Sequence, residues 1–244
     1  MLAPGTRRVQ PRHELKYPIS PIEADLLARR LGMLLPRDRH AGASGRYTVR
    51  SLYFDTLYDD ALRQKLEGFS RRAKWRLRTY EPWGVDATAG IPDSPVLLEK
   101  KFKLNGLGTK SKTTVPREVA RALIAGESTP GLLALAEHDE VLAEFVASAR
   151  AQALKPATIV AYEREAFCYR PGNVRITIDR DVRSSPSVES FLDASRLLAP
   201  VNPGSVVLEV KYDAYLPDIV RDAVNLSGCS RTAYSKYALA RRYE

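Results

Sequence analysis

Lys74-Trp75-Arg76-Leu77-Arg78-Thr79-Tyr80 reads as a β-strand with two chemically opposed faces. Successive side chains of a strand point to opposite sides, so Lys74, Arg76 and Arg78 share one face and Trp75, Leu77 and Thr79 share the other. A solvated outer face is the plainer reading of one such strand. Ordinary exposed faces, however, mix hydroxyls, amides and both charge signs. A row of three cations repels itself unless an anion offsets it.

The same design recurs along the chain. Val96-Leu97-Leu98-Glu99-Lys100-Lys101-Phe102-Lys103 adds a carboxylate to the cationic row. His13-Glu14-Leu15-Lys16-Tyr17 and Val207-Leu208-Glu209-Val210-Lys211-Tyr212 repeat its Glu-x-Lys spacing. That spacing sets an acceptor beside a donor about 7 Å away on one strand face. Tyr162 and Arg164 share a face of a further strand, as do Arg175, Thr177 and Asp179 of the next. Asp179 is a candidate second metal ligand or a partner for Arg175, with the pairing favoured, and Arg50 is read as a further inward-pointing cation. Paired side by side, such strands would gather their charges on one surface suited to a polyanion. Lys and Arg would take phosphate oxygens. Glu14, Glu99 and Glu209 are candidates to hold the divalent cation that phosphates bring, and oxygen-rich, partly hydrated coordination suits Mg²⁺ or Mn²⁺.

Composition agrees. The 244 residues carry a formal net charge of +9 and a pI of about 9.6, with 44% hydrophobic residues. Nucleotides, polyphosphate, nucleic acid and acidic membrane are all admitted as partners by that charge, and it does not choose among them. Cys168 and Cys229 make neither a disulfide framework nor a zinc pattern. No secretory signal or membrane-length apolar run is read, so a cytoplasmic, reducing compartment is the expectation.

Residues 1–10 are read as a disordered tail and 11–244 as one domain, with the Pro- and Gly-rich stretch 81–95 as a hairpin excursion. Strands are expected near 12–19, 46–55, 71–80, 96–104, 109–115, 158–169, 173–181 and 205–213. Helices are expected from Pro21 behind a Ser20/Glu23 capping box, from Thr56/Asp59 to Gly68, from Pro116 to Gly126, over 132–153, from Pro217 to Gly228 and over 235–242. The strands do not alternate regularly with helices, which excludes a parallel α/β sheet. The class is α+β with a mainly antiparallel sheet, and eight strands suffice to close a barrel wide enough for a ligand.

The ordered series RHELKYPIS, VRSLYFDT, KWRLRTY, LLEKKFK, YEREAF, VRITID, LEVKY and SKY resembles the VTC-type polyphosphate polymerase domain of the triphosphate tunnel metalloenzymes, in the CYTH-like superfamily. That resemblance implies an eight-stranded antiparallel tunnel flanked by helices, holding ATP with Mn²⁺ or Mg²⁺ and building inorganic polyphosphate. By motif, Lys16, Arg76, Arg78, Lys101 and Arg164 would grip phosphates with Tyr162 alongside. Glu209 would bind metal, and Ser235 and Lys236 would close the site. Lys74, Arg50, Arg175 and Lys211 complete the expected phosphate-binding set. The hydrolase and cyclase branches open with Glu-x-Glu-x-Lys, whereas Arg12 stands at the first acid here; this favours the polymerase branch.

Three function classes follow. The first is phosphoryl transfer to a polyphosphate chain, with triphosphate hydrolysis as its variant. A non-catalytic polyphosphate or nucleotide module is second. A nucleic-acid module is third, and no nucleic acid is expected because the basic residues interleave with acids on strand faces. The chain carries no appended sensor domain or membrane segment by this reading, so a membrane-protein partner is not readable from it.

Overall fold

The computed structural model describes residues 12–82, 95–193, 196–224 and 230–242. The expected N-terminal tail, most of the 81–95 excursion, the helix end at Gly228 and Cys229 lie outside the described residues. All eight expected strands are present: β1 (His13–Ile19), β2 (Arg46–Asp55), β3 (Arg71–Pro82), β4 (Val96–Leu104), β5 (Leu107–Val115), β6 (Lys155–Tyr169), β7 (Val174–Ser185) and, after a two-residue β8 (Ala199–Pro200), β9 (Val206–Tyr212). They form one antiparallel sheet in the order β1-β9-β7-β6-β2-β3-β4-β5, with β8 on the side of β7.

The expected closed barrel is not completed by hydrogen bonds. The edge strands β1 and β5 meet at a single antiparallel bridge between Arg12 and Gly108. In an antiparallel register that ladder runs one way into the β4–β5 turn and the other way to residues before Arg12, outside the described ones. Side chains span the seam instead, Lys101 Nζ lying 3.0 Å from a Glu14 carboxylate oxygen.

Alternation places the apolar faces outward, beneath the helices. Leu52, Phe54, Trp75, Leu77, Leu98 and Ile159 pack against α3 (Arg117–Ala125), α4 (Pro130–Ala136) and α5 (Glu140–Gln152). Ile176, Ile178, Leu208 and Val210 pack against α1 (Pro21–Leu34) and α6 (Asp218–Ala223). Fully burying a side chain such as Leu77 is worth about 1.5–3 kcal/mol. These faces therefore fix which way every charged residue of the same strands must point. Among the described residues, no helix is long and apolar enough to cross a membrane.

Helix boundaries show which local signals decide. Ser20 Oγ accepts from Glu23 N and Glu23 answers at Ser20 N, the capping box that begins α1. The helix expected over 132–153 is two helices, because Asp139 accepts from Leu142 N and caps α5 anew. α2 (Asp60–Leu66) is not capped by Asp59, whose backbone is left-handed. The Asp55 carboxylate at the end of β2 takes the amides of Thr56, Ala61 and Leu62 instead. The same carboxylate accepts from the Tyr237 hydroxyl, tying α7 (Lys236–Ala240) to that corner of the sheet.

Candidate functional site

The concave face encloses a cavity of about 430 Å³. Among the described residues lining it, twelve are Lys or Arg and two are Glu. β1 supplies Glu14 and Lys16, β9 supplies Glu209 and Lys211, and β6 supplies Tyr162 and Arg164. Tyr53 comes from β2, Lys74, Arg76 and Arg78 from β3, and Lys101 and Lys103 from β4. Residues 231–237 cross the cavity, bringing Ser235 and Lys236. Thr232 N donates to Lys16 O at 2.9 Å, and Lys16 Nζ donates to Tyr234 O at 3.1 Å.

Buried cations need anions, and three carboxylate centres supply them. The first is Glu99, wholly buried beside β3. It accepts from Arg76 Nε at 2.8 Å and Lys110 Nζ at 2.7 Å, and Arg78 Nη1 lies 3.6 Å away. Burial works against its charge, but Arg76, Arg78 and Lys110 outweigh burial and hold the carboxyl well below its usual range. Arg78 also donates to Ser51 Oγ at 3.0 Å, and Arg76 to the Tyr53 hydroxyl at 3.3 Å. The repulsion between Arg76 and Arg78 is thus offset from the neighbouring strand. Glu99 itself is enclosed by cations and does not line the cavity, so it stands as a support for the arginines and not among the metal candidates.

The second centre is Asp179, which is also wholly buried. Arg164 grips it with two bonds of 2.7 Å, and Lys236 Nζ lies 2.6 Å from it. Burial opposes the charge, yet Arg164 and Lys236 pull its pKa down to about 2. The expected pairing of Asp179 with Arg175 is corrected by register: Arg164 lies directly opposite Asp179, whereas Arg175 is four residues away, about 13 Å along the strand. Arg175 instead meets Asp38 at 2.5 Å and the Tyr47 hydroxyl at 2.9 Å. It is not among the cavity-lining residues.

The third centre is Glu14 with Glu209. Lys16 lies 3.2 Å from Glu14 and 3.8 Å from Glu209, Lys101 contacts Glu14, and Lys211 pairs with Glu209. Register produces the arrangement, since Glu14 faces Lys211 and Lys16 faces Glu209 across β1 and β9. Glu209 is held well below its usual range because Lys211 and Lys16 outweigh its burial. Reciprocally, Glu209 and Glu14 overcome the burial of Lys16 and raise its pKa.

Lys65, Arg72, Lys74 and Lys103 have no carboxylate in ion-pair reach among the described residues. Lys74 Nζ sits 4.4 Å over the Tyr237 ring. Burial, reinforced by Lys101 and Lys65, pushes its pKa down to about 7. Beyond Arg78 the concave face is filled by rings, His40 stacking on Tyr80 at 4.5 Å and tilting against Tyr47 at 5.8 Å.

Of the residues singled out in sequence, Arg50 turns away. Arg78 and its register partner Ser51 face the cavity, so Arg50, one position along, faces the helices, where it pairs with Glu81 at 3.1 Å. Tyr53 and Arg72 were missed although the same alternation marks them, and Lys103, seen in the charged row of its strand, was not carried into the expected site. Lys65 and Arg231 come from α2 and from the crossing segment, and no strand pattern could have placed them.

Metal coordination has a partial donor set here. Glu14 and Glu209 stand together, and the buried Thr177 hydroxyl, opposite Glu209 in register, has no hydrogen-bond partner. Among the described residues no group of three or more His, Cys, Asp or Glu could hold a metal ion. Two carboxylates fit a hard cation whose remaining oxygens come from phosphate and water.

No curated protein matches the chain. Solved structures do. The Hippeastrum protein HpAC1, described as having a dominant triphosphatase activity, aligns with a TM-score of 0.50 over 95% of each chain at 14% identity, which shows the shared fold. PH1819 from Pyrococcus horikoshii OT3 aligns at 0.48 over 93% of this chain and 97% of its own, with 12% identity. A Bacillus halodurans protein assigned as an adenylate cyclase aligns at 0.47 over 87% and 86%, with 14% identity. The VTC domain family model matches residues 11–243, which take in every strand of the sheet and the segment crossing its cavity, and the chain therefore belongs to the VTC domain family.

Proposed function

We propose that this chain is a metal-dependent phosphoryl transferase that moves the γ-phosphate of ATP onto a growing inorganic polyphosphate chain within the cationic cavity. The observation that carries this reading is the imbalance of twelve Lys/Arg against two Glu among the described residues that line one cavity. The family and the triphosphatase activity described for HpAC1 support chemistry on phosphate chains. In this reading the open seam between β1 and β5 is bridged by Lys101 and Glu14, and residues 11–244 work as one tunnel domain.

Such a reaction asks for alignment and charge stabilisation more than for a covalent nucleophile. A terminal oxygen of the polyphosphate chain, already ionised, attacks the γ-phosphorus. The bond from that phosphorus to the β–γ bridging oxygen breaks, and ADP leaves with its electron pair. No general base is required. Arg76, Arg78 and Arg164 are assigned to the oxygens of the transferring group, each fixed by a carboxylate, hydroxyl or both behind it. Fixed donors lose little freedom when the charge develops. Lys16, Lys101 and Lys211 hold neighbouring phosphates, with Lys74 nearer the unpaired cations and Tyr162, Ser235 and Lys236 at the crossing segment. Glu14 and Glu209 would hold Mg²⁺ or Mn²⁺, which supplies Lewis-acid neutralisation of phosphate charge.

Water in place of the chain end as nucleophile would make the same cavity a triphosphatase. Incubation with ATP and Mn²⁺ followed by chain-length analysis separates the readings. Long-chain polyphosphate is expected. Orthophosphate without polymer would assign hydrolysis, and tight tripolyphosphate binding without product under any divalent cation would leave a binding module.

A further inference from the structure

One rim of the cavity carries a group of exposed apolar side chains beside cavity-lining cations. β4 and β5 are joined by Asn105-Gly106, both with positive φ, a tight two-residue hairpin turn. Here Leu104 and Leu107 flank it, 46% and 41% exposed. The end of α2 and its link to β3 add Leu66 and Phe69, 70% and 50% exposed. The two tips are joined by Asn105 N donating to Ser70 O at 3.0 Å, so these four side chains belong to one surface.

Cations are interleaved with them. Arg71 lies opposite Leu104 in register, Arg72 opposite Lys103, and Lys65 precedes Leu66. Glu67 is the acid within the same tip. Exposed apolar side chains interleaved with basic residues match a bilayer surface: leucines and phenylalanine would enter the acyl boundary while lysine and arginine meet anionic headgroups. A second copy of the chain would bring the same positive rim and be repelled, its net charge being +9.

We propose that the rim formed by Leu66, Phe69, Leu104 and Leu107 with the surrounding Lys and Arg docks the protein on an anionic lipid surface, mouth towards the membrane. The inference does not depend on the phosphoryl-transfer reading.

The test is co-sedimentation of the full chain with vesicles of equal parts phosphatidylglycerol and phosphatidylcholine, and with pure phosphatidylcholine. Wild type should partition onto the anionic vesicles, less so at high salt because the headgroup attraction is screened. The double variants Leu104→Ser/Leu107→Ser and Leu66→Ser/Phe69→Ser should each weaken it about tenfold or more, the scale of one leucine-sized transfer. None of the four side chains lines the cavity, so tripolyphosphate affinity should stay at the wild-type level and report an intact fold. Retained partitioning in both variants would place the contact on the cavity's own cations and overturn the proposal. So would absence of wild-type partitioning, or a concentration-dependent dimer that the serine variants abolish.

Discussion

Lys74 should make ligand binding take up a proton. Its ammonium lies in the cavity over the Tyr237 ring, with Lys101, Lys65 and Arg72 nearby and no carboxylate in ion-pair reach among the described residues. Burial and those like charges push its pKa in the empty site to about 7. Phosphate oxygens beside it would restore the charged form and return the pKa towards its ordinary value of about 10.5. Because the pKa rises on binding, affinity is highest below pH 7, where the empty site already carries the charge. It falls as pH rises above 7. At pH 8.5, about 1.5 pH units higher, protonating Lys74 costs about 2 kcal/mol, or roughly a 30-fold loss of affinity. Titration calorimetry with tripolyphosphate at pH 8, in two buffers of different ionisation enthalpy, reads the proton count directly. Wild type should take up about 0.9 of a proton more than Lys74→Arg, whose guanidinium stays charged throughout. The ligand's own titration is common to both proteins and cancels. Equal proton uptake by wild type and the arginine variant would refute the reasoning.

Three further outcomes follow from the same geometry. Glu99→Gln leaves Arg76, Arg78 and Lys110 without their shared anion and should cost about 3–5 kcal/mol in urea denaturation; saturating tripolyphosphate should restore more stability to this variant than to wild type, and an unchanged midpoint would sink the support role. Glu209→Ala should abolish turnover of ATP with Mn²⁺ while circular dichroism stays native, and full activity would remove Glu209 from the metal set. Leu77→Ala, on the helix-covered face of the cavity-lining strand β3, should cost about 2–5 kcal/mol by thermal or urea melting, and a loss below 1 kcal/mol would mean that the face is not packed as described.

The strands were legible because one face of β3, β4, β1 and β9 is dominated by charge and the other by apolar side chains. Period-two alternation states which face is buried, and with that the opposite face is known too. Arg50 shows the limit of that logic. β2 is buried on both faces, running Tyr47, Val49, Ser51 and Tyr53 along one and Thr48, Arg50, Leu52 and Phe54 along the other. Hydrophobicity alone therefore does not distinguish them, and only pairing to Arg78 fixes the parity. Asp179 was assigned to the wrong arginine for a related reason. A residue two pleats away on its own strand is visible in sequence, whereas the residue directly opposite on β6 depends on a register that a bulge between Ala161 and Glu163 shifts. Lys65 and Arg231 enter from outside the sheet, where no local period operates.

The acidic residues carry the deeper lesson about this site. Read along the chain, Glu99, Asp179, Glu14 and Glu209 look alike, each a carboxylate in a cationic strand. In the fold they divide by what surrounds them. Glu99 and Asp179 are wholly buried, each held by cations on more than one side, so their charge is spent on orienting Arg76, Arg78, Arg164 and Lys236. Glu14 and Glu209 line the cavity together and share three flexible lysines. Arginine forks locked from behind can present their remaining N–H groups in fixed directions, while lysines can swing from carboxylate to phosphate as ligand enters. On the proposed function, a cavity built this way would be rigid where the transferring phosphate sits and adaptable where the cation and the rest of a chain pass, a division that the alternating charges of single strands do not reveal.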